Sequence, residues 1–278
     1  MSEVALPSVL RKAMLSIRAY AKLLAVLLTS VLLVPLQALV MAFTRGPPAF
    51  VVPRLWHRCL CRILGIEVEV MGTPNPQGRT LYVGNHISHF DILLLGSVLR
   101  TRFIAKDDML RWPGVPFIAG LQQTVFISRR GRDAASAAMA LSGVMGHGNN
   151  LLLFAEGTTS SGSTVAPFKS SLFSLFTGGS PEAHVAWTVQ PFTLVLQAVE
   201  GHALRDDGDR DLYAYHGDMD AGAHVQQFLR SRGAQLLLVL HAPISVAAGT
   251  DRKTLAALTH AVVASALHPD RDTEAPVA

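Results

Sequence analysis

From Leu23 to Thr44 the chain runs for 22 residues without a charged side chain. As a helix that stretch reaches about 33 Å, enough for the ~30 Å hydrocarbon core of a bilayer. Pro35 and Gln37 interrupt it near the middle. The sequence therefore admits two shapes: one kinked spanning helix, or two short helices in a re-entrant or monotopic hairpin. The run is too long and begins too late for a secretory signal, and Pro47-Pro48 is not a small-residue cleavage site. It reads as a retained membrane anchor.

The charges agree. Residues 1–62 hold eight Arg or Lys (Arg11, Lys12, Arg18, Lys22, Arg45, Arg54, Arg58, Arg62) and one acid, Glu3, a net +7 against +4 for the whole chain. The basic excess thus belongs to the apolar part, where each Lys or Arg near an anionic leaflet is worth roughly 1 kcal/mol. Basic residues flank the apolar run on both sides, so the positive-inside rule selects no orientation. In Phe50–Leu64, apolar residues recur at helical spacing, with Arg54, Arg58 and Arg62 at every fourth position. That pattern predicts an amphipathic helix on a bilayer surface. Nucleic acid could also use a basic patch, but the neighbouring apolar run favours lipid. Cys59 and Cys61 are the only cysteines. Two apart on a helix they face different ways, so no disulfide is expected, and two thiols alone make no metal site. A reduced, cytosol-facing domain fits.

Beyond the anchor, apolar strand-like runs occur at Glu67–Val70, Leu81–Val83, Arg102–Ala105, Thr124–Ile127, Leu151–Phe154, Trp187–Leu196 and Gln235–His241. Helical stretches lie between them at Asp91–Leu99, Asp107–Gly120, Asp133–Met145, Lys169–Phe176, Gly222–Arg230 and Asp251–Leu267. This alternation predicts an α/β domain with a mixed, mostly parallel sheet flanked by helices. The expected division is residues 1–64 as anchor and basic segment, 65–268 as catalytic domain, and 269–278 as a polar, frayed tail.

The chemistry concentrates after Leu81–Val83, in Gly84-Asn85-His86-Ile87-Ser88-His89-Phe90-Asp91. A carboxylate beside an imidazole fixes its tautomer and stabilises its protonated form, so the other ring nitrogen can take a proton from a hydroxyl. His86 and Asp91 are five residues apart, about 140° around one regular helix. They converge only if His86 precedes a helix and Asp91 lies in its first turn. Ser88-x-x-Asp91 reads as a capping box that would open such a helix. The competing reading is that Asp91 only caps and His86 is an ordinary loop residue.

Three further segments look chemical. Ser128-Arg129-Arg130-Gly131-Arg132 follows a predicted strand, and guanidiniums grip phosphate or carboxylate bidentately, although a solvated basic turn has the same composition. Glu156-Gly157-Thr158-Thr159-Ser160 places an acid at a strand end, before small residues that allow close approach to the backbone. Lys169 could pair with an anion or merely begin a helix. His86, Arg129, Glu156 and Pro191 all sit within or just after predicted strands, where open sheets gather their sites. No histidine shows metal-ligand spacing, and no Ser or Cys stands out as a nucleophile near His86, which favours direct transfer over a covalent intermediate.

In order, these blocks resemble the four motifs of the glycerolipid acyltransferase family, which includes the bacterial 1-acylglycerol-3-phosphate acyltransferases. Asn85-His86-x-Ser88-x-x-Asp91 is similar to the first, Phe126-Ile127-Ser128-Arg129 to the second, Phe154-Ala155-Glu156-Gly157-Thr158 to the third, and Val189-Gln190-Pro191-Phe192 to the fourth. The resemblance implies His86 as general base and Asp91 as its orienter. Asn85, Ser88, Arg129, Arg132, Glu156, Gly157, Thr158, Lys169 and Pro191 would form the substrate site. It implies an acyl-CoA or acyl carrier protein thioester as donor, a lysolipid as acceptor, no bound cofactor or metal, and a bacterial inner membrane. The sequence departs from the family pattern at Ala155, Thr159 and Ser128, where Pro, Arg and Asp are usual. Tyr215-His216-Gly217-Asp218-Met219-Asp220 also resembles a segment of the lyso-ornithine lipid branch. The expected acceptor is 1-acylglycerol-3-phosphate, with lyso-ornithine lipid as the alternative. A non-catalytic lipid-binding protein and a lysolipid hydrolase are the readings from other classes.

Overall fold

A computed structural model of the protein describes residues 8–44, 46–76, 79–111, 114–127, 150–177, 188–246 and 250–267. Arg129 and Arg132, the helix expected over Asp133–Met145 and the tail 269–278 lie outside the described residues.

Helix α1 (Ser8–Phe43) is a single run of 36 residues with Pro35 inside it, so the hairpin is not formed. Three of its polar side chains, Lys22, Ser30 and Gln37, turn back to the body of the protein. Lys22 Nζ donates to the carbonyls of Leu64 (2.6 Å) and Ser231 (3.0 Å), and Gln37 Nε2 donates to those of Ala49 and Leu121 (3.0 Å each). Ser30 Oγ accepts from Trp56 Nε1. The opposite face exposes Ile17, Tyr20, Leu24, Leu28, Val31, Leu32, Leu39 and Phe43. The window from Met14 to Phe43 is long and apolar enough to cross a membrane.

Helix α2 (Val51–Leu64) corrects the sequence reading. Its apolar stripe, Val52, His57, Leu60, Cys61 and Leu64, is buried against protein rather than turned outward. Arg54 and Arg58 each donate Nε to the Ser97 carbonyl at 3.0 Å. Helical periodicity reports a buried face without saying whether protein or lipid covers it. Gly65 ends α2 at φ 81°, where a Cβ would lie 2.0 Å from the Arg232 carbonyl oxygen.

The chain continues through β1 (Ile66–Met71), β2 (Thr80–Gly84), α3 (Asp91–Val98), β3 (Thr101–Lys106), α4 (Val115–Leu121), β4 (Val125–Ile127), β5 (Asn150–Phe154), β6 (Thr188–Val199) and β7 (His202–Ala203). It closes with α5 (Ala221–Arg230), β8 (Ala234–Leu240), β9 (Ile244–Ser245) and α6 (Arg252–Ser265). The strands form one sheet in the order β1-β8-β6-β2-β5-β3-β4, with β7 and β9 also on β6. Its pairings are parallel except for those of β6 with β7, β8 and β9. This is the mixed, mostly parallel sheet that the alternating pattern predicted.

Helices cover both faces, which is why the central strands read as unbroken apolar runs. Leu81, Val83, Leu151 and Leu153 pack with Leu255 and Val263 of α6. Tyr82, Leu152 and Leu194 face the other way, onto Cys61, Leu94, Leu95 and Phe228. Asp220 and Asp251 cap α5 and α6 by accepting backbone N–H groups of the first turn. The single helix expected over Asp107–Gly120 is instead a 3-10 stretch, Asp107–Arg111, followed by α4. Pro113 has no N–H to continue a helix, and Gly114 adopts φ 80°. Lys169–Phe176 likewise splits into a 3-10 turn from Ser170 and one α turn from Ser174.

Candidate active site

Strand β2 lies between β5 and β6, parallel to both, with Gly84 in register with Phe154 and Phe192. The turn after Gly84 therefore emerges at the carboxyl ends of β2 and β5, beside the middle of the longer β6. Asn85 starts it, fully buried. Its amide donates to the Leu194 carbonyl (2.9 Å) and accepts the Leu194 N–H (2.8 Å), which fixes the turn to β6.

The backbone of His86 is held from both sides. Its N–H donates to Glu156 Oε1 at 2.8 Å, and its carbonyl accepts the Ser160 N–H at 2.8 Å. Its ring stacks on Phe154, with centroids 3.7 Å apart and planes 9° from parallel. Nδ1 lies 2.8 Å from Asp91 Oδ2, and the His86 side chain stays 16 % exposed while Asp91 is fully buried. An ionised carboxylate only accepts, so Nδ1 carries the proton in the neutral ring and Nε2 presents its lone pair. Nε2 has no hydrogen-bond partner among the described residues.

Asp91 has more than one task. Oδ2 also accepts the N–H groups of Ile87 (2.7 Å) and Ser88 (3.0 Å), and Oδ1 accepts from Tyr213 Oη at 2.9 Å. The carboxylate thus meets two partners at once: it caps the turn into α3 and it lies against His86 Nδ1. Only half of the expected capping box is built, because the Asp91 N–H goes to the Ser88 carbonyl rather than to its hydroxyl. Ser88 Oγ is buried, 3.4 Å from the Phe90 nitrogen.

Glu156 is also buried, with Oε1 on the His86 N–H and Oε2 on the Ala166 N–H (3.0 Å). Burial pushes its carboxyl up from the usual range, against the hydrogen bonds from His86 and Ala166. Beyond it Gly157 takes φ 69°. Its carbonyl accepts from Lys106 Nζ, and a Cβ there would come within 3.1 Å of Lys169 Nζ. Two ammonium groups therefore flank Gly157, next to the exposed Thr158. Pro191 is buried mid-strand beside Val83, and its carbonyl accepts the His241 N–H.

Of the residues singled out in the sequence, His86, Asp91, Glu156, Gly157, Thr158 and Lys169 gather at this one edge. Asn85, Ser88 and Pro191 support it from inside. Tyr213, Phe154 and Lys106 belong to the same constellation; Tyr213 and Lys106 lie outside the motif blocks, and Phe154 opens the third without being singled out as a site residue. His89 lies behind it, its ring 5.0 Å from that of His224, and burial pushes it down to about 4.

Residues 66–194 match the Acyltransferase family model. A lyso-ornithine lipid O-acyltransferase of Brucella abortus is 33% identical over 244 residues, covering 87% of this chain and 90% of that protein. A 1-acyl-sn-glycerol-3-phosphate acyltransferase of Neisseria gonorrhoeae is 35% identical over 111 residues, 40% of this chain and 43% of that protein. In fold, the crystal structure of the 1-acyl-sn-glycerophosphate acyltransferase PlsC from Thermotoga maritima superposes with a TM-score of 0.62, covering 94% of this chain and all of that one at 17% identity. The chain is an acyltransferase and belongs to the glycerolipid acyltransferase family.

Proposed function

We propose that this acyltransferase moves a fatty acyl group from a thioester, acyl-CoA or acyl carrier protein, to the hydroxyl of a lyso-ornithine lipid. The observation that carries the chemistry is the His86–Asp91 pair, with Nδ1 held at 2.8 Å and Nε2 left open. Nε2 takes the proton of the acceptor hydroxyl as its oxygen attacks the thioester carbonyl. The tetrahedral intermediate collapses, the C–S bond breaks, and the imidazolium returns its proton to the departing thiolate. No Ser, Thr or Cys side chain bonds Nε2 among the described residues, in keeping with direct transfer. Asp91 stabilises the imidazolium, while Asn85, Ser88, Glu156 and Pro191 hold the turn. Lys106 and Lys169 at Gly157, together with Arg129 and Arg132, supply positive charge for the anionic parts of donor and acceptor.

Two observations favour the ornithine acceptor over 1-acylglycerol-3-phosphate. The lyso-ornithine lipid O-acyltransferases match along 73% to 87% of this chain, whereas the named relatives for the phosphate acceptor match along 38% to 44%. Thr159 also stands where the family usually has Arg, and ornithine presents a carboxylate and an ammonium rather than a phosphate.

The exposed face of α1 is the proposed membrane contact. Lys22, Ser30 and Gln37 fasten this helix to the domain, so α1 and the domain meet the bilayer as one body. We place α1 in the membrane surface, its apolar face toward the acyl chains and the catalytic domain on the cytoplasmic side of a bacterial inner membrane. The purified protein, assayed with both lysolipids and both thioesters, tests the substrates. Turnover is expected on lyso-ornithine lipid. Turnover on 1-acylglycerol-3-phosphate alone would restore that acceptor, and release of free fatty acid without transfer would make the protein a hydrolase.

A further inference from the structure

We infer that Tyr213 is a positioning residue for the His86–Asp91 pair, its phenol holding the Asp91 carboxylate in the orientation that serves His86. The inference rests on the role proposed for that pair. Oδ2 of Asp91 receives three donors, His86 Nδ1 and the N–H groups of Ile87 and Ser88. Oδ1 receives one, Tyr213 Oη, at 2.9 Å. Both side chains are fully buried, so without the phenol Oδ1 would be a charged oxygen with neither water nor donor. The carboxylate's orientation would then rest on the three donors at Oδ2 alone, with its charge undiminished beside His86.

Tyr213 is itself well fixed. Its N–H donates to the Arg210 carbonyl at 3.0 Å, and its ring packs against Phe90 and Phe228. Two residues on, the Tyr215 N–H donates to the Ile87 carbonyl at 2.9 Å. The segment before α5 is thus latched to the catalytic turn twice, once through the reacting pair's carboxylate and once through the backbone. Burial and the Asp91 charge raise the phenol well above its ordinary range, so it remains a donor at any working pH.

Among the described residues, the other titratable groups around the pair include Glu156 beyond β5, Lys106 and Lys169 at Gly157, His89 before α3, His224 on α5 and Cys61 on α2. His89 is pushed down to about 4 and the Cys61 thiol up to about 12, both outside the range of an enzyme assay. Burial also lowers His224 and raises Glu156. None of these is bonded to the Tyr213 phenol, so a change at the phenol reaches the pH profile through Asp91.

The test is Tyr213→Phe in the full-length protein, with circular dichroism and Tm recorded beside kcat, KM and the pH profile of kcat/KM. An Asp91 carboxylate with one donor fewer keeps more negative charge toward the imidazole, which then holds its proton more tightly. The acid limb should move to higher pH by up to about one unit. The kcat should fall about tenfold while both KM values stay within about twofold. Should Tyr213→Phe fail to fold, 3-fluorotyrosine at position 213 decides: a more acidic phenol of the same shape donates more strongly, and the acid limb should move to lower pH. Acid limbs that coincide with wild type, even with a lowered Tm, would reduce Tyr213 to a core residue. If His86→Ala is inactive while the Tyr213 variants titrate like wild type, this inference fails alone. If His86→Ala is active, the role of the pair fails first.

Discussion

Glu156 accepts the backbone N–H of His86 at 2.8 Å, joining the loop after β5 to the turn after β2. With its other oxygen on Ala166, this buried carboxylate fastens the residue proposed as base. Glu156→Ala removes both bonds and leaves two N–H groups unmet, each worth about 1.5–3 kcal/mol when the partner is charged. The expected result is a lower Tm and a kcat reduced roughly 10- to 100-fold, with acceptor KM little changed. A raised acceptor KM with intact kcat would instead make Glu156 a head-group ligand, as the family resemblance implied.

Membrane attachment should follow the outer face of α1. Leu24→Glu with Leu28→Glu should weaken co-sedimentation with vesicles without lowering Tm, because both side chains already face outward. Removal of residues 1–43 is a different injury. It uncovers the parts of α2, α4 and α5 that α1 packs on and strips the partners from the Leu64 and Ser231 carbonyls. The truncated chain should aggregate without detergent. A soluble, monomeric truncation as stable as the whole would contradict the fastened-helix account.

Stability should fall on mild acidification. Burial pushes His57 and His89 down to about 4, from an ordinary value of 6.5. Between those values the unfolded chain binds protons that the folded protein refuses. The stability tied to neutral rings is therefore complete above about pH 6.5 and lost progressively down to about pH 4. Tm measured across that window should fall, and His89→Phe, which keeps a ring against Phe90 and Tyr215, should flatten the slope. A Tm independent of pH over this range would mean that neither ring is held neutral.

Much of this arrangement was legible in the sequence, and the exceptions have physical causes. His86 and Asp91 announce themselves because their geometry is local: five residues, one turn, one helix start. The central strands are readable because burial on both faces leaves continuous apolar runs. Tyr213 lies 122 residues from Asp91, and no spacing rule reaches that far. Phe154 looks like any strand-end aromatic until its ring is seen against His86. An acid at a strand end has one sequence signature, whether it meets a ligand or a backbone N–H, so the hold of Glu156 on His86 and Ala166 is not readable there. The α2 stripe was given to lipid for the same kind of reason.

The acceptor can be probed by charge. Thr159→Arg restores the guanidinium usual in the family and should improve turnover of 1-acylglycerol-3-phosphate if that side chain faces the head group. Arg129→Ala should raise acceptor KM at least about tenfold, through loss of a charge-assisted contact, and leave donor KM nearly unchanged. Equal effects on both KM values would place Arg129 outside the acceptor site.

The most direct measurement is acyl transfer from a labelled thioester to lyso-ornithine lipid by purified wild-type and His86→Ala proteins, matched for fold and vesicle binding. Loss of the general base should lower turnover roughly 10²- to 10⁴-fold without loss of membrane association. Turnover by His86→Ala close to that of wild type would contradict the account at its centre.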